Sequence, residues 1–382
     1  QPALAAAEQE SVYRILQSVN SGVDWRTLFP GDLCSSAPHG VVCDYFSDGG
    51  DDSGEAHVTE ISLGYVSDYS PNPSCDSNSS FDPFLLKPLS RLKKLFFYRC
   101  FALGETPFPD FSDVKLPALE ELVFIENPAL VGSLEGKLGD VRGLRKLVLT
   151  GSGVSGGLLS GGLDKLVNLE QLTLSRNSFQ GQLHADVFQN MKKLKVLDLA
   201  ANSLAGNVPD SIGNLTELLK LDLSFNGFSG RIPENLKNLK TLELLDLSHN
   251  QFRDFGMPSF LSEMDGLKEL HLSGNLVGGR IPATWRAPGS ITGLGMSAMG
   301  LVGCIPKSMA QNLRNLSYLL LDNNRLEGSI PEELDGLRSL NELNLENNRL
   351  SGKLPFSSSF VTRLGGKLKV DGNPDLCIEE EE

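Results

Sequence analysis

Asp246, Ser248, His249 and His271 are a carboxylate, a hydroxyl and two imidazoles, the side-chain types of a nucleophilic triad. Their chemistry would be acyl transfer, with the base taking the serine proton and the carboxylate orienting the base. That chemistry also needs a pocket that excludes water and donors for an oxyanion. Flat, exposed strands supply neither, so the chain is not expected to be an enzyme. Other chemistries fare no better. The six cysteines, at 34, 43, 75, 100, 304 and 377, show no CxxC or His/Cys spacing, so no zinc site is expected. The acidic residues 48–55 do not fit a calcium loop and are expected to form a loop in an N-terminal cap. The glycine-rich residues 151–162 form a variant repeat, not a phosphate cradle. No G-x-G-x-x-G follows a strand in a βαβ unit, which removes dinucleotide binding. No cofactor and no metal are expected.

Binding chemistry is better supplied. Lys94, Phe96, Tyr98 and Arg99, then Glu121, Val123, Ile125 and Glu126, then Lys146, Val148 and Thr150 make one group. Displayed together they form an apolar, aromatic patch, a feature that often marks a partner site. The alternative is that the cap, or the loop carrying Cys75, folds over and buries it. Lys220, Asp222 and Phe225, then Asp246 and His249, Glu269 and His271, and Tyr318 make a second group. Mixed charge with Phe and His suits a peptide or a polar glycan. The column Asp198, Asp222 and Asp246 is read as a solvated ladder.

A repeat must position these residues. Leu218, Leu221, Leu223, Asn226, Phe228, Gly230, Ile232 and Pro233 match Leu316, Leu319, Leu321, Asn324, Leu326, Gly328, Ile330 and Pro331. The template is L-x-x-L-x-L-x-x-N-x-L-x-G-x-I-P. It starts at Leu119, Leu144, Leu169, Leu194, Leu218, Leu242, Leu267, Ile291, Leu316 and Leu340, at intervals of 24 or 25 residues. Looser copies begin at Val58 and Leu92, and a terminal one runs through Leu368, Val370 and Asn373, giving about thirteen coils. The L-x-L alternation predicts a short strand with leucines inward and x residues outward, paired in parallel about 4.8 Å from the next. The candidate binding residues occupy the second, fourth, sixth and seventh places after the first Leu. The Asn turns the chain and satisfies backbone inside the coil. G-x-I-P disfavours a regular helix on the opposite side, where irregular or 3-10 structure is expected. The fold class is a leucine-rich-repeat solenoid of the α/β horseshoe class, with a parallel sheet on its concave face.

Exposed end rungs require caps. Val12, Ile15, Leu16 and Val19 fall at i, i+3, i+4 and i+7, predicting an amphipathic helix, followed by Trp25. Residues 1–57 are the expected N-terminal cap, 58–364 the repeats, and 365–382 a C-terminal cap with an acidic tail. Cys34 and Cys43 are expected to close a small loop. Cys100 stands where the Leu92 coil should carry its Asn, and Cys75 is its natural partner. Cys304 and Cys377 lie about three coils, roughly 14 Å, apart and beyond bonding reach. The net charge is −14, from 34 basic and 48 acidic side chains, so neither nucleic acid nor an anionic membrane is an expected partner. No run of eighteen apolar residues occurs. Sequons at Asn78, Asn214 and Asn315, with paired cysteines, favour an extracellular setting.

The L-x-G-x-I-P repeats, with the pattern around Trp25, Cys34 and Cys43, resemble the plant extracellular subfamily of leucine-rich-repeat receptor-like proteins. Residues 92–100 with the upstream Cys75 are similar to the Too Many Mouths type. Met299-Gly-Leu-Val-Gly and residues 366–377 look closer to the Piriformospora indica-insensitive protein group. That resemblance implies a kinase-less protein at the outer face of the plasma membrane, in the apoplast. It implies binding of an extracellular peptide or glycan, or of a co-receptor kinase ectodomain, through the concave face, and membrane association only through a segment outside residues 1–382. A soluble inhibitor of a microbial wall-degrading enzyme shares the repeat but ends in a four-cysteine framework. An adhesion or scaffold protein is the third reading.

Overall fold

A computed structural model describes residues 2–36, 40–47, 54–64, 74–139, 141–158, 162–286 and 289–378. Residues 48–53 of the acidic stretch and the tail 379–382 lie outside the described residues. The chain divides into two compact units, Gln1–Ser203 and Leu204–Glu382. The division falls inside the repeat run, not at a cap boundary.

The first unit starts with the helix Ala6–Val19, which buries Val12, Ile15, Leu16 and Val19 as the spacing predicts. Trp25 is buried beside it, and its indole N–H donates to the Asn20 carbonyl at 3.0 Å. An antiparallel pair, Val41–Phe46 with Glu55–Leu63, follows. Parallel rungs are then added: Lys94–Tyr98, Glu121–Ile125, Lys146–Thr150, Gln171–Thr173 and Val196–Asp198. Both expected disulfides form, Cys34–Cys43 and Cys75–Cys100, while Cys304 and Cys377 are free and exposed. Beneath the rungs lies an aromatic core that the leucine template does not announce. Phe97 stacks on Phe124 at 4.8 Å between centroids, and Phe81 meets Phe97 edge-on at 4.9 Å.

The second unit continues the pattern with rungs of two or three residues: Lys220–Asp222, Leu244–Asp246, Glu269–His271, Gly293–Gly295, Tyr318–Leu320, Glu342–Asn344 and Leu368–Lys369, all parallel. The central Leu of each full repeat points inward; Leu221, Leu245, Leu270, Leu319 and Leu343 are fully buried. The side opposite the rungs carries one-turn segments such as the 3-10 helices Glu234–Asn238 and Glu332–Gly336, each entered from a proline. Proline presets φ and lacks an N–H, so the turn starts but no long helix grows.

The asparagines act as the template predicts. Asn250 donates to the carbonyls of Leu223 and Leu247 at 2.9 and 3.1 Å and accepts from the Phe228 N–H at 3.1 Å. One amide thus satisfies three buried backbone groups on two coils. Asn127 does the same in the first unit, accepting from Cys100 and Phe101 and donating to Phe97 and Ile125. The residue just before this position is left-handed in coil after coil. Among the described residues nine non-glycines, Arg99 to Asn347, hold φ between +50° and +57°. That backbone costs about 1–2 kcal/mol each and is retained because the Asn bonds lock the turn.

Candidate functional site

A rung buries alternate residues and displays the others, so every coil offers a short row of side chains on one face. The left-handed residue before the Asn adds one more, because its own side chain is turned onto the same face. Phe225 and His249 are placed in this way.

In the first unit the displayed face is less open than the alternation predicts. Phe96, Tyr98 and Ile125 are half-buried, Arg99 is exposed, and its guanidinium lies 5.2 Å from the Tyr98 ring centroid. Val123 and Val148 are only 3% and 7% exposed, which corrects their reading as displayed residues. Phe96, Val123 and Val148 are in register on adjacent rungs. Rungs about 4.8 Å apart leave a short β-branched side chain in the shadow of longer neighbours. Thr150 is buried as well. Glu126 and Arg176 pair at 2.6 Å across Gly151, where an added Cβ would lie 3.0 Å from the Glu126 carboxylate.

In the second unit the face is open and carries two aromatic pairs. Phe225 is 56% exposed and stacks on His249 at 4.3 Å, with the planes 21° apart. The His249 ring leans over Gly274, where a Cβ would meet its Nδ1 at 2.6 Å. His271 and Tyr318 form the other pair, 6.0 Å and 16° apart, although a whole coil separates them. They meet because that coil carries Gly293 and Gly295 at its displayed places. A Cβ on Gly293 would collide with the Tyr318 ring, and one on Gly295 would come within 2.9 Å of His271 Nδ1. The Tyr318 hydroxyl sits 3.1 Å from His271 Nε2 and donates to Glu269 at 3.4 Å.

Carboxylates surround this pair. Burial first, then Glu269, Asp246 and Glu342, push the Tyr318 phenol up to about 12. Burial penalises the charged phenolate, and three negative neighbours repel it. Asp222 and Asp246 each accept a bond from the hydroxyl of the serine two residues on, Ser224 and Ser248. Ser248 therefore donates to a carboxylate at a place where a triad would need it on an imidazole, and His249 stacks on Phe225 instead. Lys220 stands on the face near Asp222, half-buried. The structure thus brings Phe225 to His249 and His271 to Tyr318. Glu269, expected on this face, is the acceptor of the second pair, whereas the glycines that make that pairing possible were not among the expected site residues. Their signal is present in the sequence as Gly at both displayed places of Thr292-Gly-Leu-Gly-Met296.

Fold and face together define a leucine-rich-repeat solenoid. The leucine-rich-repeat family description matches residues 167–228 and 302–350, and a second such description matches 241–264. The chain is a leucine-rich-repeat protein similar to plant receptor-like proteins. It is 34% identical over 138 residues to Protein Too Many Mouths of Arabidopsis thaliana, covering 36% of this chain and 26% of that protein. It is 36% identical over 155 residues to Piriformospora indica-insensitive protein 2 of Arabidopsis thaliana, covering 39% and 33%. The matched stretch spans about a quarter to a third of these curated relatives. Among solved structures, the Arabidopsis receptor kinase HAESA, in complex with the peptide hormone IDA and the co-receptor SERK1, superposes with a TM-score of 0.55. That match has 26% identity and covers 79% of this chain and 57% of the other.

Proposed function

We propose that the chain is the extracellular binding module of a kinase-less plant receptor-like protein. It recognises an extracellular peptide or a co-receptor kinase ectodomain with the displayed face of its rungs, and it carries out no catalysis. The observation that carries this reading is the pair of aromatic stacks, Phe225 on His249 and His271 on Tyr318, held on a sheet face where Phe225 and His249 are exposed and His271 and Tyr318 half-buried. Solvent-facing aromatics that are already ordered lose little entropy on binding, which is why such residues dominate interfaces. HAESA, whose fold this chain shares, is seen with a peptide hormone and a co-receptor, which supports the same class of partner. Two disulfides and exposed sequons at Asn78, Asn214 and Asn315 support a secretory route to the outer face of the plasma membrane.

The test is a pairwise binding array of plant receptor-kinase ectodomains against the secreted chain. A variant with Phe225, His249, His271 and Tyr318 all changed to Ser should lose an association that the parent makes. A second variant with Phe96, Tyr98 and Ile125 changed to Ser reports on the first unit. An association untouched by both variants contradicts the face assignment.

A further inference from the structure

We infer that the second unit's sheet face around Tyr318 recognises a positively charged side chain, best an arginine, on an extended peptide. This rests on the reading above that the face binds ligands, and it names the chemistry of one subsite.

Shape is the first argument. Gly293 and Gly295 leave their rung without side chains on the displayed face, so it is the low line between the Glu269–His271 and Tyr318–Leu320 rungs. Tyr318 crosses that line and its ring end lies over Gly293, with the ring nearly parallel to His271. Both near-parallel rings are partly exposed, which leaves aromatic surface for a flat group to stack on. A guanidinium is planar, weakly hydrated and stacks on such faces.

Charge is the second argument. The carboxylates of Glu269, Asp246 and Glu342 all act on the Tyr318 hydroxyl. Of the nearby cations, Lys268 is 3.3 Å from Glu243 and so is already engaged. Among the described residues the partly exposed Glu269 carboxylate meets the phenol at 3.4 Å and His271 Nε2 at 4.0 Å and has no Lys or Arg within ion-pair distance. An arginine laid on the Tyr318 ring would reach Glu269 with two N–H donors, a bidentate pairing that lysine cannot make. An anionic glycan would meet three like charges here. A purely apolar peptide would strip water from those carboxylates with no compensating bond. The cationic peptide is the occupant that both shape and charge fit.

The probe is a library of random dodecapeptides displayed on phage and selected on the whole chain. Arginine enrichment is expected in the selected pool. The most enriched peptide and its arginine-to-glutamine counterpart are then compared by calorimetry, with a loss on the order of ten-fold expected for the counterpart. Glu269→Gln should cost the parent peptide a similar factor while leaving the thermal midpoint unchanged. Gly293→Ala keeps every charge but displaces the Tyr318 ring, and it should also weaken binding. Lysine-enriched or uncharged peptides, or binding indifferent to Glu269→Gln, overturn the inference. If such peptides still lose binding with Phe225→Ser, the face reading stands and only the cationic subsite fails. If they bind the four-serine variant unchanged, both fail.

Discussion

The two units use one repeat to build opposite surfaces. In the first, the three rungs of five residues bury Val123, Val148 and Thr150 on the displayed face as well as phenylalanines beneath it, and the two rungs after them have three residues. In the second, five rungs of three residues bury only their central residue, and the displayed face keeps Phe225, His249, His271 and Tyr318 partly or largely exposed. Glycine shows the contrast most sharply. Gly151 lets Glu126 and Arg176 close an ion pair over it, whereas Gly293 and Gly295 let an aromatic pair lie across their coil. A missing side chain is a vacancy, and the flanking coils decide what fills it. The first unit buries much of its displayed face, and the second leaves its aromatic side chains partly open to solvent.

Four changes would break or sharpen that contrast. Phe124→Ala removes a fully buried ring stacked on Phe97, and a loss of about 3–5 kcal/mol is expected by urea unfolding. A loss below about 1 kcal/mol would mean the aromatic core is not load-carrying. Val148→Ser puts a hydroxyl where the displayed face is closed and should cost about 1–3 kcal/mol, while His271→Ser in the second unit should stay within about 0.5 kcal/mol. Equal costs would erase the distinction between the faces. Phe225→Gly relieves a left-handed backbone and should change stability by less than about 1 kcal/mol in either direction while abolishing partner binding. Unfolding of the variant would show instead that the Phe225–His249 stack holds the coil.

The smallest effect is a titration. Tyr318 has a folded value raised to about 12 from an ordinary 10. Above pH 10 the unfolded chain releases this proton while the folded chain keeps it, so the contribution is full below pH 10 and is lost as pH rises toward 12. Of the six tyrosines, one should ionise last in an ultraviolet absorbance titration, and Tyr318→Phe should delete that late step. A late step that survives the substitution belongs to another tyrosine.

Much of the fold was legible because the repeat writes the same packing demand many times. Leu221 and its equivalents, the Asn ladder, the cap helix and both disulfides follow from spacing alone. The face was legible in position but not in exposure. Val123 and Val148 occupy displayed places, yet their burial depends on the lengths of side chains one rung away, at Phe96 and Ile125. The His271–Tyr318 pairing was missed for a related reason. Those residues are two coils apart, and they meet only through what Gly293 and Gly295 lack. The Phe97–Phe124 core was hidden because the template accepts Phe wherever it accepts Leu.

The central claim is that recognition occupies the second unit's sheet face. Hydroxyl-radical footprinting of the chain, free and bound to a partner found in the ectodomain array, tests it directly, since aromatic and imidazole side chains report their own exposure. Phe225, His249, His271 and Tyr318 should lose reactivity on binding, while Phe255, 95% exposed and away from the rungs, should keep it. Protection of Phe255 with the other four unchanged would contradict the account.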